Sequence, residues 1–406
     1  MNYKVTSFLI LLVMTVLSVV SVSAQDEFVF GVILVGPNDD RGWSQSQYEA
    51  GQYVEENFDG ARMVSFESLN PADSPETTLM DVVGIMVDEG AKVIFTTSDS
   101  FEEDTNVVAE AYPDVVFINV TGSNVIAEGG APSNVGNFNG RMEVPRMLAG
   151  CAAALTTQTG KISYLGALIN PETRRLAASS YLGARYCYEN YRQMDPSELS
   201  FDVTWIGFWF NIPGVTLDPT EVATNFLDSG SDVIISGIDT TEAITVAGSY
   251  EGDVPTYAIP YGNINGCSEA PDACLGAAFY NWGPQYLKVV QEVADGTWTQ
   301  SWDFIPPVWD EISDEGFYMG KDTSVIGFKM GDALTEENRA TLKDFAGAIA
   351  DFHSDPANAD KFFLWKGPLN YQDGTELAAD GEYVPLLDIW FLPQLLEGMT
   401  GASTSE

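Results

Sequence analysis

Apolar runs separated by helix-length amphipathic stretches constrain this chain more than any other feature. Phe28-Val29-Phe30-Gly31-Val32-Ile33-Leu34-Val35 is the first, and Arg62 to Phe66, Lys92 to Thr96 and Val115 to Val120 follow. Helices are predicted from about Ser44 to Asn57, from about Pro75 to Glu89, and once more before Val115. Strands with little polar alternation are covered on both faces, so this β-α-β-α-β-α-β order predicts a parallel, doubly wound sheet. The pattern then restarts. Val144 to Thr156 reads as a helix, with Gly150 and a run of alanines suited to close packing. Strands are predicted at Lys161 to Leu165, Phe201 to Phe208, Asp232 to Ser236 and Thr256 to Ile259. Helices are predicted at Pro171 to Asn190, Asp218 to Ser229 and Thr240 to Gly248. Two α/β lobes fit a chain of 406 residues better than one core does.

Beyond Cys274 the pattern is weaker. Leu275 to Tyr280 and Val325 to Met330 read as strands, and Pro284 to Asp295 and Thr335 to Phe352 as helices. The aromatic-rich tail after Ser354 is expected to wrap over the lobes.

Residues 1–24 stand apart. Lys4 precedes an apolar run, Phe8 to Val20, broken only by Thr15 and Ser18, and Val22-Ser23-Ala24 offers small residues for cleavage. This predicts a signal peptide, the rival being an uncleaved anchor. The run is shorter than the roughly 20 residues of a membrane span. No cysteine follows it to carry a lipid. The mature protein is expected to be exported, periplasmic or at the cell surface.

The 59 acidic residues outweigh 18 basic ones, for a net charge of -41. Such a surface repels nucleic acid and anionic membranes, which argues against both as partners. The acids are scattered and read as a solubilising coat. The four cysteines, Cys151, Cys187, Cys267 and Cys274, invite disulfides in an exported chain. A bridge between Cys267 and Cys274 is easy to close, leaving Cys151 with Cys187, although three pairings remain open. Zinc is disfavoured by the spacing and by a single histidine, His353, expected to be solvated. No metal and no cofactor is expected.

In open parallel sheets, ligands sit beyond the carboxyl ends of the strands. The loop Asp39-Asp40-Arg41-Gly42-Trp43-Ser44-Gln45 follows the first strand. Asp40 or Ser44 could simply cap the next helix. A flat indole beside carboxylates also suits a sugar or a heterocycle. Phe208-Trp209-Phe210-Asn211 ends a predicted strand of the second lobe. Alternation forbids all three rings from one core, so at least one should face the cleft. Pro260-Tyr261-Gly262-Asn263 and Tyr280-Asn281-Trp282 offer neutral donors and acceptors. No nucleophile elbow, phosphate loop or zinc motif is present. A glycoside- or nucleoside-acting enzyme with a carboxylate pair remains the alternative.

At these loops the sequence resembles the basic membrane protein family of ABC-transporter substrate-binding proteins, which includes purine nucleoside receptors. The likeness rests on Asp40, Trp43 and Gly51; on Asn137-Phe138-Asn139-Gly140-Arg141-Met142-Glu143; on Gly160 to Gly166 with Gly183-Ala184-Arg185; on Gly207-Phe208-Trp209; and on Gly230-Ser231-Asp232-Val233-Ile234. Gly367-Pro368-Leu369 and Asp373-Gly374 resemble the tail of one branch. The resemblance implies a type I periplasmic-binding fold, two doubly wound lobes joined by hinge strands. Residues 25–143 with about 275–310 would form the first lobe. Residues 144–274 with about 311–352 would form the second, and 353–406 a packed tail. It implies a small flat ligand, a purine nucleoside or related heterocycle, clamped between Trp43 and Trp209. Asp40, with Asp39 and Ser44 beside it, Asp99 and Glu143 would line the cleft. Tyr261 falls where relatives carry a ribose-binding Asp, and Asn281 where they carry a Lys. The implied partners are an ABC permease and its ATPase, served by a monomer; a sensory role is the other possibility.

Overall fold

A computed structural model describes residues 27–404 apart from residue 129, so the predicted signal peptide lies outside the described residues. The first apolar runs become β1 (Phe28–Ile33), β2 (Ala61–Phe66), β3 (Val93–Thr96) and β4 (Val116–Val120). They alternate with α1 (Trp43–Asn57), α2 (Leu79–Asp88) and α3 (Glu102–Ala111). Helix α2 starts four residues later than Pro75 suggests, because Thr78 and Asp81 form a reciprocal capping box there. The run 135–140 is a fifth strand, β5 (Val135–Gly140), not foreseen because its glycines and asparagines disfavour strands. Its buried Asn137 repays the cost with hydrogen bonds to Asn119 O (3.0 Å) and Asn124 Oδ1 (2.8 Å).

The second series is α4 (Glu143–Thr156), β6 (Lys161–Gly166), α5 (Pro171–Asn190), β7 (Ser200–Trp205), α6 (Pro219–Asp228), β8 (Val233–Gly237), α7 (Glu242–Ser249) and β9 (Tyr257–Ile259). Helices α4 and α5 touch at Gly150 and Gly183, where an added Cβ would strike the backbone of Ser180 and Met147. Cys151 and Cys187 bridge the same two helices, and Cys267 pairs with Cys274. The chain continues through β10 (Tyr261–Gly262), β11 (Gly276–Tyr280), α8 (Gly283–Ala294), β12 (Trp302–Ile305), β13 (Gly316–Phe317), β14 (Ile326–Met330) and α9 (Glu336–His353). The tail adds β15 (Leu369–Asn370), β16 (Glu376–Ala378), α10 (Leu386–Trp390) and β17 (Met399–Thr400).

The first lobe is a six-stranded parallel sheet, β12-β5-β4-β3-β1-β2, and the second a five-stranded parallel sheet, β17-β7-β6-β8-β9. Between them lies a separate sheet, β10-β11-β14-β13, so residues 276–280 pair with β14 rather than joining the first lobe's sheet. The tail does more than wrap: β17 extends the second sheet, and Trp390 packs edge-on against Trp302 and Phe304 of β12. Strand order reverses between β1 and β3 in one sheet and between β6 and β8 in the other, and both switch points aim their loops into the space between lobes.

Two local expectations change. The strand predicted over Phe201 to Phe208 ends at Trp205, so Phe208, Trp209 and Phe210 lie in a loop entered through Gly207 at φ 102°. His353 is buried, not solvated, and stacks on Trp309 with ring centres 3.8 Å apart. Burial, with Arg141 nearby, lowers its pKa to about 4, so it is neutral.

Candidate functional site in the cleft between the lobes

The loops at the strand ends line a small pocket. Val35 and Trp43 enter it from the β1 to α1 connection, Ser98 and Asp99 from beyond β3, and Thr121 from beyond β4. Glu172 at the start of α5, Trp209 beyond β7 and Asp239 beyond β8 face them from the other lobe, and Tyr261 of β10 forms one end.

The two indoles are fixed differently. Trp43 donates its Nε1–H to Thr97 O (2.6 Å), and Tyr280 and Trp282 abut it edge-on with centres 5.2 and 5.6 Å away. Its rotamer is therefore set by the first lobe together with the end of β11. Trp209 donates its Nε1–H across the cleft to Asp99 Oδ1 (3.1 Å). Asn170 of the second lobe donates to the other oxygen of Asp99 (2.8 Å). Asp99 is thus a latch between lobes. Gly42 lies against the backbone carbonyl of Asp239, so closely that a Cβ there could not be accommodated. Arg41 pairs with Glu269 outside the cleft. These contacts describe lobes drawn together, the closed arm of a hinge motion.

Three carboxylates face the cavity. Burial is the main cause that raises Asp99, Glu172 and Asp239 above the usual carboxylate range. Burial outweighs Arg175 and, with Asp99 and Glu143 opposing its charge, brings Glu172 to about 7. Burial pushes Asp239 well above that range, with Asp40, Asp99 and Glu172 adding to it. Beneath the cavity, Arg175 Nε lies 2.7 Å from Glu143 Oε1 and Nη2 3.9 Å from Glu172 Oε1. Its guanidinium also rests on Trp390, 4.1 Å from the ring centre, which ties the tail to the floor of the site. Arg146 sits 4.1 Å from the ring centre of Tyr261 and donates to Ser236 O (2.6 Å).

The cavity brings together Trp43, Asp99, Trp209 and Tyr261 of the residues singled out in the sequence. The others sit elsewhere. Asp40 accepts hydrogen bonds from the backbone N–H of Gly42, Ser44 and Gln45 (2.8, 2.8 and 2.9 Å), capping α1. Ser44 Oγ accepts from Gly36 N (3.0 Å) and shapes the loop. Asp39 is exposed beside it. Glu143 is buried in the ion pair below the floor. Asn281 points away, donating to Lys321 O (2.9 Å) and Ser324 O (2.7 Å), and lines a different hollow beside α1. Glu172 was not anticipated, and Asp239 was not singled out although it ends the strand-end loop Gly237 to Asp239. Asp239 does follow a predicted strand, but Glu172 reads as an ordinary first-turn acid after Pro171. Among the described residues no cluster of His, Cys, Asp and Glu is arranged to hold a metal.

Comparison with known proteins accounts for this architecture. The chain is 28% identical over 369 residues to a purine-binding protein of Brucella abortus, covering 88% of this chain and 89% of that protein. It is 29% identical over 259 residues to a putative ABC transporter glucose-binding protein of Haloferax volcanii, covering 64% of this chain and 59% of that protein's length. Among solved structures, an ABC transporter solute-binding protein of Aeropyrum pernix superposes with a TM-score of 0.60 at 14% identity, covering 85% of this chain and 93% of that one. One of Conexibacter woesei gives 0.55 at 19%, covering 80% and 96%. At such identities these two structures speak for the fold alone, that of two-lobed type I periplasmic-binding proteins. The profile of the family described as "ABC transporter substrate-binding protein PnrA-like" matches residues 28–305, more than half of the chain. The chain belongs to that family and is a non-catalytic solute-binding protein of an ABC importer.

Proposed function

We propose that this protein is exported, captures a purine nucleoside or related flat heterocycle between Trp43 and Trp209, and presents it to an ABC permease driven by its ATPase. The observation that carries the reading is the placement of one indole from each lobe on a single small cavity. Neither lobe alone can sandwich a ring, so affinity would depend on closure. Stacking on an aromatic face is worth about 1–3 kcal/mol per base, and two faces would add. Asp99, Glu172 and Asp239 accept hydrogen bonds from amino, ring N–H or hydroxyl groups around the edge of the ring. Asp239 lies next to Tyr261 on the cavity wall and offers a carboxylate at the end where Tyr261 replaces the ribose-binding Asp expected from the family resemblance. The similarity to a purine-binding protein along nearly the whole chain supports the heterocycle.

A second reading, a monosaccharide, draws on the same carboxylates and on the glucose-binding relative. Titration calorimetry with adenosine, guanosine, adenine, hypoxanthine and glucose separates the two. The proposal expects tight binding confined to the purines. Binding of glucose alone would overturn it.

A further inference from the structure

The cavity combines a pair of indoles with acidic groups, and the basic side chains near it lie beneath its floor. Asp239 is the most telling member. It is 3% exposed and lines the cavity, yet among the described residues nothing donates a hydrogen bond to its carboxylate. Asp99, by contrast, is partnered by Trp209 and Asn170, and Glu172 has Arg175 at 3.9 Å. The groups acting most strongly on Asp239 are themselves acidic: Asp40 from the loop before α1, Asp99 from the loop after β3 and Glu172 from α5. Tyr261 of β10 also faces it, and burial holds that phenol in its neutral form. Of the buried arginines nearest the cavity, Arg175 pairs with Glu143, and Arg146 donates from Nη1 to the carbonyl of Ser236 while its Nε and Nη2 find no acceptor among the described residues.

Like charges from opposite lobes are therefore brought together as the cleft shuts. Burying a charge without a partner is costly, and an isolated buried carboxylate is retained only if something neutralises it. Aromatic faces next to carboxylates form the environment that attracts a delocalised cation.

We propose that the cleft binds its flat ligand together with one positive charge carried by the ligand, a protonated or alkylated ring nitrogen or an aromatic amine, and that Asp239 is the group that selects it. The inference rests on the reading of the cleft as a heterocycle site and narrows the substrate class within it. A neutral purine would take onto a ring nitrogen the proton that the buried Asp239 already holds, and the resulting carboxylate would accept the N–H. A base that is already cationic displaces that proton to solvent.

The test pairs adenosine with 1-methyladenosine, and guanosine with 7-methylguanosine, on the intact protein. Calorimetry is run at one pH in two buffers of different ionisation enthalpy. The expected result is at least about tenfold tighter binding of the methylated cations, with about one proton released to solvent per cation bound. Asp239→Asn should abolish that preference and that release. Thermal melting of Asp239→Asn without ligand shows that it is folded. A neutral purine that binds as tightly as its cationic partner, with no proton released when the cation binds, overturns the charge assignment and leaves the heterocycle site standing. A preference unchanged in Asp239→Asn overturns the role of Asp239. Binding of glucose alone removes both readings.

Discussion

Replacing Trp209 with alanine removes one wall of the proposed sandwich, and its effect can be worked from the structure. The indole gives one stacking face, worth about 1–3 kcal/mol, which alone weakens binding by about fivefold to 150-fold. It also donates to Asp99 across the cleft at 3.1 Å. That bond joins the two lobes, so its loss penalises the shut form and adds to the stacking term. A hydrogen bond to a charged group is worth about 1.5–3 kcal/mol. At least tenfold weaker binding is therefore expected. Trp209→Phe keeps a ring and drops the N–H, so its affinity should fall between those of the wild type and alanine. The side chain also packs in the second lobe's apolar cluster, so alanine should cost about 3–5 kcal/mol of stability. Calorimetric titration with the best purine, at a temperature where circular dichroism shows all variants folded, gives the order directly. Equal dissociation constants for wild type and alanine would refute the argument. So would a phenylalanine variant weaker than alanine.

Three more outcomes follow from named contacts. Gly42→Ala places a methyl against the carbonyl of Asp239 in the opposite lobe, so it should weaken ligand binding tenfold or more while leaving the melting temperature of the free protein within a degree or two; unchanged affinity would show that the lobes do not meet there. Glu172 has its carboxyl raised from 4.5 to about 7, mainly by burial, so the folded form holds that proton more tightly than the unfolded chain. Its contribution to stability therefore falls as pH rises from about 4.5 to about 7, by on the order of 3 kcal/mol, and urea melts of Glu172→Gln across that window should show a shallower decline than wild type. Removing the Cys151–Cys187 bridge, which closes a 36-residue separation between α4 and α5, should cost about 4 kcal/mol in the same melts, and an unchanged urea midpoint would count against it.

The lobes were legible because their strands are buried on both faces, which leaves apolar runs such as Phe28 to Val35 and Val115 to Val120 unmistakable. Strand β5 hid behind Asn137 and Asn139, and Asn137 is satisfied only through partners 18 and 13 residues away, Asn119 and Asn124. Trp43 and Trp209 were readable as flat faces beside strand ends. The argument for Trp209 assumed a strand, and the residue reaches the cavity on a loop instead. Asp40 shows the limit of local reading, since one pattern fits both a helix cap and a ligand contact, and its hydrogen bonds go to the cap. Glu172 was invisible because a first-turn glutamate is what any helix favours. Asn281 failed for a different reason. Its neighbours Tyr280 and Trp282 brace Trp43 from behind, so the segment is close to the site while the asparagine itself ties down residues 320–324.

A crystal structure grown with the tightest-binding purine puts the whole proposal to one measurement. The base should lie parallel to both indoles, Trp43 on one side and Trp209 on the other, with an edge nitrogen within hydrogen-bond distance of Asp239. Electron density for the ligand in any other hollow, or a ring touching just one of the two tryptophans, would contradict it.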